Sequence, residues 1–221
     1  PERAFAETPK LKQLRLERNQ ICTLTSNPLN ETKEFLELLD LSDNCFKAIP
    51  AQNFRGAQAL TYLDMSNNEL HDLPSLQFMT LPLLKEVRLN GNKIKNFSPL
   101  AFMNVPNLQH FYLRHNELND LEPNRFQGFR KLELLDLTGN KITKLKSSTF
   151  KEVTSLKQLF LDENEIESVE TLAFSSNPKL QMISMQENKI RTLYRNAFES
   201  CAQMMILLLG NNRLTSISKL F

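Results

Sequence analysis

The chain has 221 residues, 41% of them hydrophobic and 24% charged, the proportions of an ordinary globular protein. Its formal net charge of +2 is too small to point by itself to a nucleic-acid or membrane partner. No unbroken apolar run approaches the roughly 20 residues needed to cross a bilayer, and no basic-then-apolar signal segment opens the sequence.

Self-similarity organises the chain from end to end. A partial turn over residues 1–10 is followed by nine turns that begin near residues 11, 36, 60, 84, 108, 132, 156, 180 and 204. An asparagine recurs in each of the nine: Asn19, Asn44, Asn68, Asn92, Asn116, Asn140, Asn164, Asn188 and Asn212. The first interval is 25 residues and the rest are 24. Apolar residues precede and follow each asparagine at fixed spacing, as in Leu132, Leu135, Leu137, Asn140, Ile142 and Leu145. Phe54, Phe78, Phe102, Phe126, Phe150, Phe174 and Phe198 each stand ten residues after an asparagine. Phe5 fits that slot in the partial turn, and Leu29 fills it in the first full one.

The pattern L-x-x-L-x-L-x-x-N-x-L-x-x-L resembles the leucine-rich-repeat family, in the 24-residue form typical of extracellular proteins. The resemblance covers essentially the whole chain. It implies an α/β-type solenoid, a right-handed horseshoe with a concave parallel β-sheet and an irregular or short-helical convex side. The spacing supports this independently. Alternation with period two makes each L-x-L a short strand with one buried face. Identical strands recurring every 24 residues stack as parallel neighbours about 4.8 Å apart. The phenylalanines fill the interior away from the sheet, and each asparagine amide satisfies backbone groups in the bend that would otherwise be buried unpaired. One turn cannot bury its own apolar face, so stability resides in contacts between neighbours. The chain reads as one repeat domain over residues 1–221. It carries no terminal cysteine cluster, and a piece lacking both caps is the expectation.

Cys201 falls in an inward column shared with Ala57, Leu81, Val105, Phe129 and Val153, and reads as a buried thiol. Cys22 and Cys45 lie in adjacent turns, facing solvent and offset by two residues along the chain. Both a disulfide and a pair of free thiols are open for them. Asn30 and Asn96 head the sequons Asn30-Glu31-Thr32 and Asn96-Phe97-Ser98, at outward positions. With the repeat type they favour an extracellular or cell-surface location over the cytoplasm.

Chemistry is sparse. The histidines are His71, His110 and His115, with no pocket or orienting carboxylate to make a catalytic set. The run Asp162, Glu163, Glu165, Glu167 lacks the glycine turn of a dedicated calcium loop and reads as a solvated edge. The column Glu69, Lys93, Glu117, Lys141, Glu165, Lys189 alternates in sign and reads as a surface charge ladder, each pair contributing about 0–1 kcal/mol. No enzyme, metal or cofactor is expected.

The third, fifth, seventh and eighth places of each turn should form the concave surface. Its cations are Arg15, Arg18, Arg88 and Arg114, against the anions Glu17, Asp40, Asp43, Asp64, Glu86, Asp136, Asp162, Glu163 and Glu187. Four cations and nine anions leave −5, so this face is acidic and argues against nucleic acid. Large apolar residues gather on the later turns: Tyr112, Leu134, Phe160, Met182, Ile206 and Leu208. This patch, with Arg88, His110, Arg114 and Asp136 as polar neighbours, is the expected surface for a protein ligand or co-receptor, Tyr112 and Phe160 serving as anchors. Downstream turns covering Ile206 and Leu208, or a homodimer through the late turns, would equally account for part of it. A structural subunit or spacer, and an intracellular scaffold, are the alternative roles.

Overall fold

The structure is a computed structural model that describes residues 4–78, 81–122, 124–147, 149–194 and 196–215. Each turn places three residues in a strand: β1 (Gln13–Arg15), β2 (Leu38–Asp40), β3 (Tyr62–Asp64), β5 (Glu86–Arg88), β7 (His110–Tyr112), β8 (Leu134–Asp136), β10 (Gln158–Phe160), β12 (Met182–Ser184) and β14 (Ile206–Leu208). Between them lie two-residue strands β4 (Asp72–Leu73), β6 (Asn96–Phe97), β9 (Lys144–Leu145), β11 (Ser168–Val169) and β13 (Thr192–Leu193). Among the described residues the nine longer strands form one parallel sheet in chain order. Its register never slips: Leu135 pairs with Leu159, which pairs with Ile183. Period-two alternation therefore carries through, with Leu39, Leu63, Val87, Phe111, Leu135, Leu159 and Ile183 turned inward and buried.

The asparagines form a single row beneath the bend after each strand. Asn140 is typical. Its Nδ2 donates to the carbonyls of Leu113 and Leu137, each at 2.9 Å, and its Oδ1 accepts from the Leu118 N–H at 3.0 Å. Since Leu113 and Leu118 belong to the preceding turn, the amide ties two turns together where no strand pairing does. One residue before each asparagine, at the eighth place, the backbone turns left-handed. Arg18, Asp43, Asn67, Gly91, His115, Gly139, Glu163, Glu187 and Asn211 all have φ between 50° and 71°. A left-handed residue reverses the chain direction there, and it costs a long side chain more than it costs glycine or asparagine.

Past the asparagine the turns meet with a stagger. Each following residue donates its N–H to the carbonyl two places beyond the previous asparagine, as Lys93 does to Leu70 and Lys141 to Leu118. Cys45 does the same to Ile21 at 3.1 Å. That stagger cancels the offset of Cys22 and Cys45 in sequence. Their Cα atoms stand 4.4 Å apart and the sulfurs are joined as a disulfide. Replacing both by serine is expected to remove about 3 kcal/mol, the entropy of closing a loop of this length. The loss should fall on the first two turns, because a solenoid transmits stability only between neighbours. Hydrogen exchange would show it as lost protection at Leu14 and Leu39 with Leu159 unaffected.

The return side is irregular and almost free of helix, as the repeat implied. The described residues include one four-residue α-helix, α1 (Ala51–Phe54). Elsewhere the path is made of turns and the short parallel ladders β4–β6 and β9–β11–β13. Turns of equal length bring the same residues side by side, so even a two-residue extended stretch finds a hydrogen-bonding neighbour, such as Ser168 beside Thr192. Behind these ladders the phenylalanines stack face on face. Phe126, Phe150, Phe174 and Phe198 follow one another at centroid distances of 5.9, 5.7 and 5.4 Å. Cys201 is buried in the column expected of it, and burial pushes its thiol up to about 11.

Candidate functional site

Side chains at the third and fifth places of the strands project from the concave face in two columns. In the fifth-place column Arg88 pairs with Tyr112, Tyr112 with Asp136, Asp136 with Phe160, and Phe160 with Ser184. Tyr112, Arg114, Leu134, Asp136 and Phe160 line one open hollow of about 540 Å³, whose remaining wall is Thr138, Asp162, Glu163, Gln186 and Glu187. Half of the ten expected contact residues therefore meet in one depression. Tyr112, Leu134 and Phe160 are each half-buried, presenting part of their apolar surface to solvent.

The other five lie around it. Arg88 sits beside the hollow in an aromatic sandwich, its guanidinium carbon 5.5 Å from the Tyr62 ring centre and 5.0 Å from that of Tyr112. Its Nε donates to Glu86 Oε1 at 2.7 Å, and Glu86 Oε2 lies 3.3 Å from His110 Nδ1. Burial works against the Arg88 charge, but the Glu86 hydrogen bond and the nearby charges outweigh it and hold the guanidinium above its usual range. Burial, followed by the Asp64 charge, pushes the Tyr62 phenol up to about 12; Tyr112 is raised chiefly by burial as well. Arg88, the two tyrosines, Glu86 and His110 thus form a preassembled platform. Met182 continues the third-place column beyond it. Ile206 and Leu208 are on β14, the last strand of the sheet. Their neighbour Leu207 occupies the inward column yet is 38% exposed, so the openness of all three reflects an edge strand rather than the concave face alone.

Asp136 lines the hollow but offers it little surface. Although it stands in the fifth-place column, it is buried. Its Oδ1 accepts the Thr138 N–H at 3.1 Å, and its Oδ2 lies 3.7 Å from Arg114 Nε. Asp40 and Asp64 behave alike, accepting the N–H groups of Ser42 and Ser66. A short carboxylate reaches down to the bend two residues on, where a tyrosine or phenylalanine must stand up. Of the other concave carboxylates, Glu17, Asp43, Glu163 and Glu187 are exposed and Glu86 and Asp162 half-buried; those that line the hollow with Asp136 are Asp162, Glu163 and Glu187. Turn position had already placed these three on the concave face, but not among the expected contact residues. The outer charge ladder resolves into separate pairs, Lys141 to Glu117 at 3.1 Å and Lys189 to Glu165 at 2.7 Å. Their hydrogen bonds to the lysines lower both carboxyls, which are partly exposed.

A second hollow, of about 370 Å³, lies on the return side between Leu73, Phe97, Glu122 and Arg125. Arg125 is buried there, its guanidinium 5.2 Å over the Phe97 ring and donating to Asn96 Oδ1 and, at 3.0 Å, to the Phe97 carbonyl. Burial lowers its pKa, opposed by Asp120 and Glu122. The guanidinium supports a return segment from within. Both sequon asparagines are exposed. Asn96 meets Arg125 through its carbonyl oxygen, while a glycan would attach at its nitrogen.

The leucine-rich-repeat family model matches residues 35–94, 82–142, 135–190 and 154–214, together most of the sequence. The chain belongs to the leucine-rich-repeat family. Its fold is one typical of protein-interaction modules. Among solved structures, this repeat protein is similar to TLR13 in the TLR13–ssRNA13 complex, with TM-score 0.90 and 27% identity over 94% of this chain and 29% of that one. It is also similar to a leucine-rich-repeat protein of Leptospira interrogans, with TM-score 0.80 and 28% identity over 93% of this chain and 50% of the other. Toll of Drosophila, in its complex with Spatzle, matches with TM-score 0.70 at 23% identity over 96% and 36%, and shares the fold. The repeat protein thus spans half or less of each of these chains. A search of curated proteins found no significant match. The neighbours lend no support to excluding nucleic acid, since one of them is complexed with an RNA, nor to a homodimer through the late turns. No helix among the described residues is long and apolar enough to cross a membrane.

Proposed function

We propose that the repeat protein is a non-enzymatic recognition module of an extracellular or cell-surface protein, binding a protein partner through its concave face. The observation that carries this reading is the hollow over β7, β8 and β10, where Tyr112, Leu134 and Phe160 present apolar surface on a sheet face that would otherwise be polar. Aromatic groups held beside polar neighbours in a water-accessible depression are the usual centres of binding energy. The Arg88 sandwich holds one of them, Tyr112, in a fixed orientation before any partner arrives, which reduces the ordering cost of association. The Cys22–Cys45 disulfide suits an oxidising compartment, and Asn30 and Asn96 are the proposed glycan acceptors. Likeness to TLR13 supports a receptor context.

The test is a panel of purified extracellular proteins screened for binding, followed by Tyr112→Ala and Phe160→Ala against whatever binds. Each substitution is expected to weaken binding at least about tenfold. Thermal midpoints should move by less than about 3 °C, because neither side chain belongs to the core. Unchanged affinity in both variants would transfer the proposal to a structural role through the flank, where Leu83, Leu100 and Met103 are exposed. Glycan mass spectrometry at Asn30 and Asn96 of chain secreted from eukaryotic cells tests the compartment.

A further inference from the structure

We infer that the hollow selects a partner segment that is both apolar and cationic, taking an arginine or lysine side chain along Phe160 with its charged head at Asp162, Glu163 and Glu187. This inference rests on the concave-face reading above and adds the chemistry of the partner. It follows from how the wall changes character along the strand direction. Leu134 and Phe160 form an apolar floor at the third and fifth places. Asp162 and Gln186 follow at the seventh, Glu163 and Glu187 at the eighth, all on the same wall. From fifth to seventh place is about 7 Å along an extended strand, the span of an outstretched basic side chain. The aliphatic stem of such a side chain covers apolar surface while its head stays with counter-charges, and the head also gains from an aromatic face.

Charge accounting within the hollow supports the sign. Arg114 is its single cation, and it already faces Asp136 at 3.7 Å. Asp162 spends one oxygen on the Ser184 hydroxyl and the Gln186 N–H, at 2.5 and 2.7 Å, and Glu187 accepts from Asn211 at 2.8 Å. These are neutral donors, so three carboxylates line the wall with no cation opposite them among the described residues. The whole chain has a formal charge of +2, so a cationic segment drawn here is recruited by this wall and not by the molecule at large.

A clean charge-removing variant exists because Glu163 and Glu187 are left-handed, at φ 54° and 56°, a conformation in which Asn67 and Asn211 occupy the equivalent place. Asparagine suits it better than glutamate does. The probes are a synthetic peptide of alternating leucine and arginine, its leucine–glutamate counterpart, and single-stranded polyuridine RNA. Binding is read by calorimetry, and its place by amide chemical shifts at Phe160, Thr138 and Gln186. The cationic peptide is expected to shift these amides, and the Glu163→Asn/Glu187→Asn double variant to weaken it about tenfold while its unfolding midpoint holds or rises. A matched control, Glu117→Gln/Glu165→Gln, removes the same charge outside the hollow and should leave affinity unchanged. Equal weakening by that control, or shifts confined to other turns, would overturn the proposal. So would preference for the glutamate peptide or the RNA. If Phe160→Ala abolishes binding of a protein partner while the double variant leaves it intact, the concave-face reading survives and the cationic partner does not.

Discussion

Asn140→Ala is expected to cost the fold about 3 kcal/mol, although it removes no apolar surface. The wild-type amide is buried between two turns and makes hydrogen bonds with both. Its loss leaves the Leu118 N–H, whose acceptor it was at 3.0 Å, with no substitute within the bend. The carbonyls are cushioned: Leu113 still receives Asn116 and Leu137 still receives Asn164, at 3.1 and 3.0 Å. The cost therefore comes mainly from one orphaned donor and from two carbonyls reduced to a single partner. Asn140→Asp separates the two contributions. A carboxylate keeps the acceptor for Leu118 but faces the carbonyls of Leu113 and Leu137, so its folded pKa must rise above the unfolded value. A group shifted in that direction destabilises the fold most at neutral pH, and stability returns as pH falls through the raised pKa. Urea unfolding at pH 7 and near pH 4 should show recovery for Asn140→Asp and none for Asn140→Ala. Equal losses at both pH values in the two variants would mean that the row contributes packing and not hydrogen bonds.

Phe150→Ala should cost about 4 kcal/mol, within the usual range for a fully buried aromatic residue. Phe150 is enclosed and stacks on both sides, against Phe126 and Phe174. Its removal opens a cavity at the junction of three turns, and the neighbours cannot close it because each ring is fixed by its own turn. Phe198 provides the comparison. It occupies the same slot but is partly exposed, with one stacking neighbour at 5.4 Å. Phe198→Ala should cost about half as much. Calorimetric unfolding of the two variants decides between a stack that acts through neighbours and a set of independent buried rings. Equal losses would favour the second.

Much of this was legible in the sequence for one reason. A strict 24-residue period means that position within the turn assigns each residue its face, and the unbroken strand register preserves that assignment across the sheet. Tyr112, Leu134 and Phe160 were found to share a surface in this way, and Cys201 an interior column. Period alone does not say how a side chain bends once it is on its face. Asp136 shares a column with Tyr112 and Phe160 but turns down to the Thr138 N–H, because its carboxylate is short enough to reach. Arg88 looks free in sequence, and only the lateral spacing of β3, β5 and β7 slots it between two tyrosine rings.

The repeat by itself determined the parallel sheet, the asparagine row, the inward leucines and which side chains share the concave face. The tertiary structure alone decided three further matters: which concave carboxylates are spent on the backbone, which of the others line the hollow, and that Cys22 meets Cys45. Burial on one face or the other is set by local periodicity. The first depends on how far a short carboxylate reaches toward the bend two residues on, and the other two on contacts between residues about 24 positions apart, settled only when the turns stack.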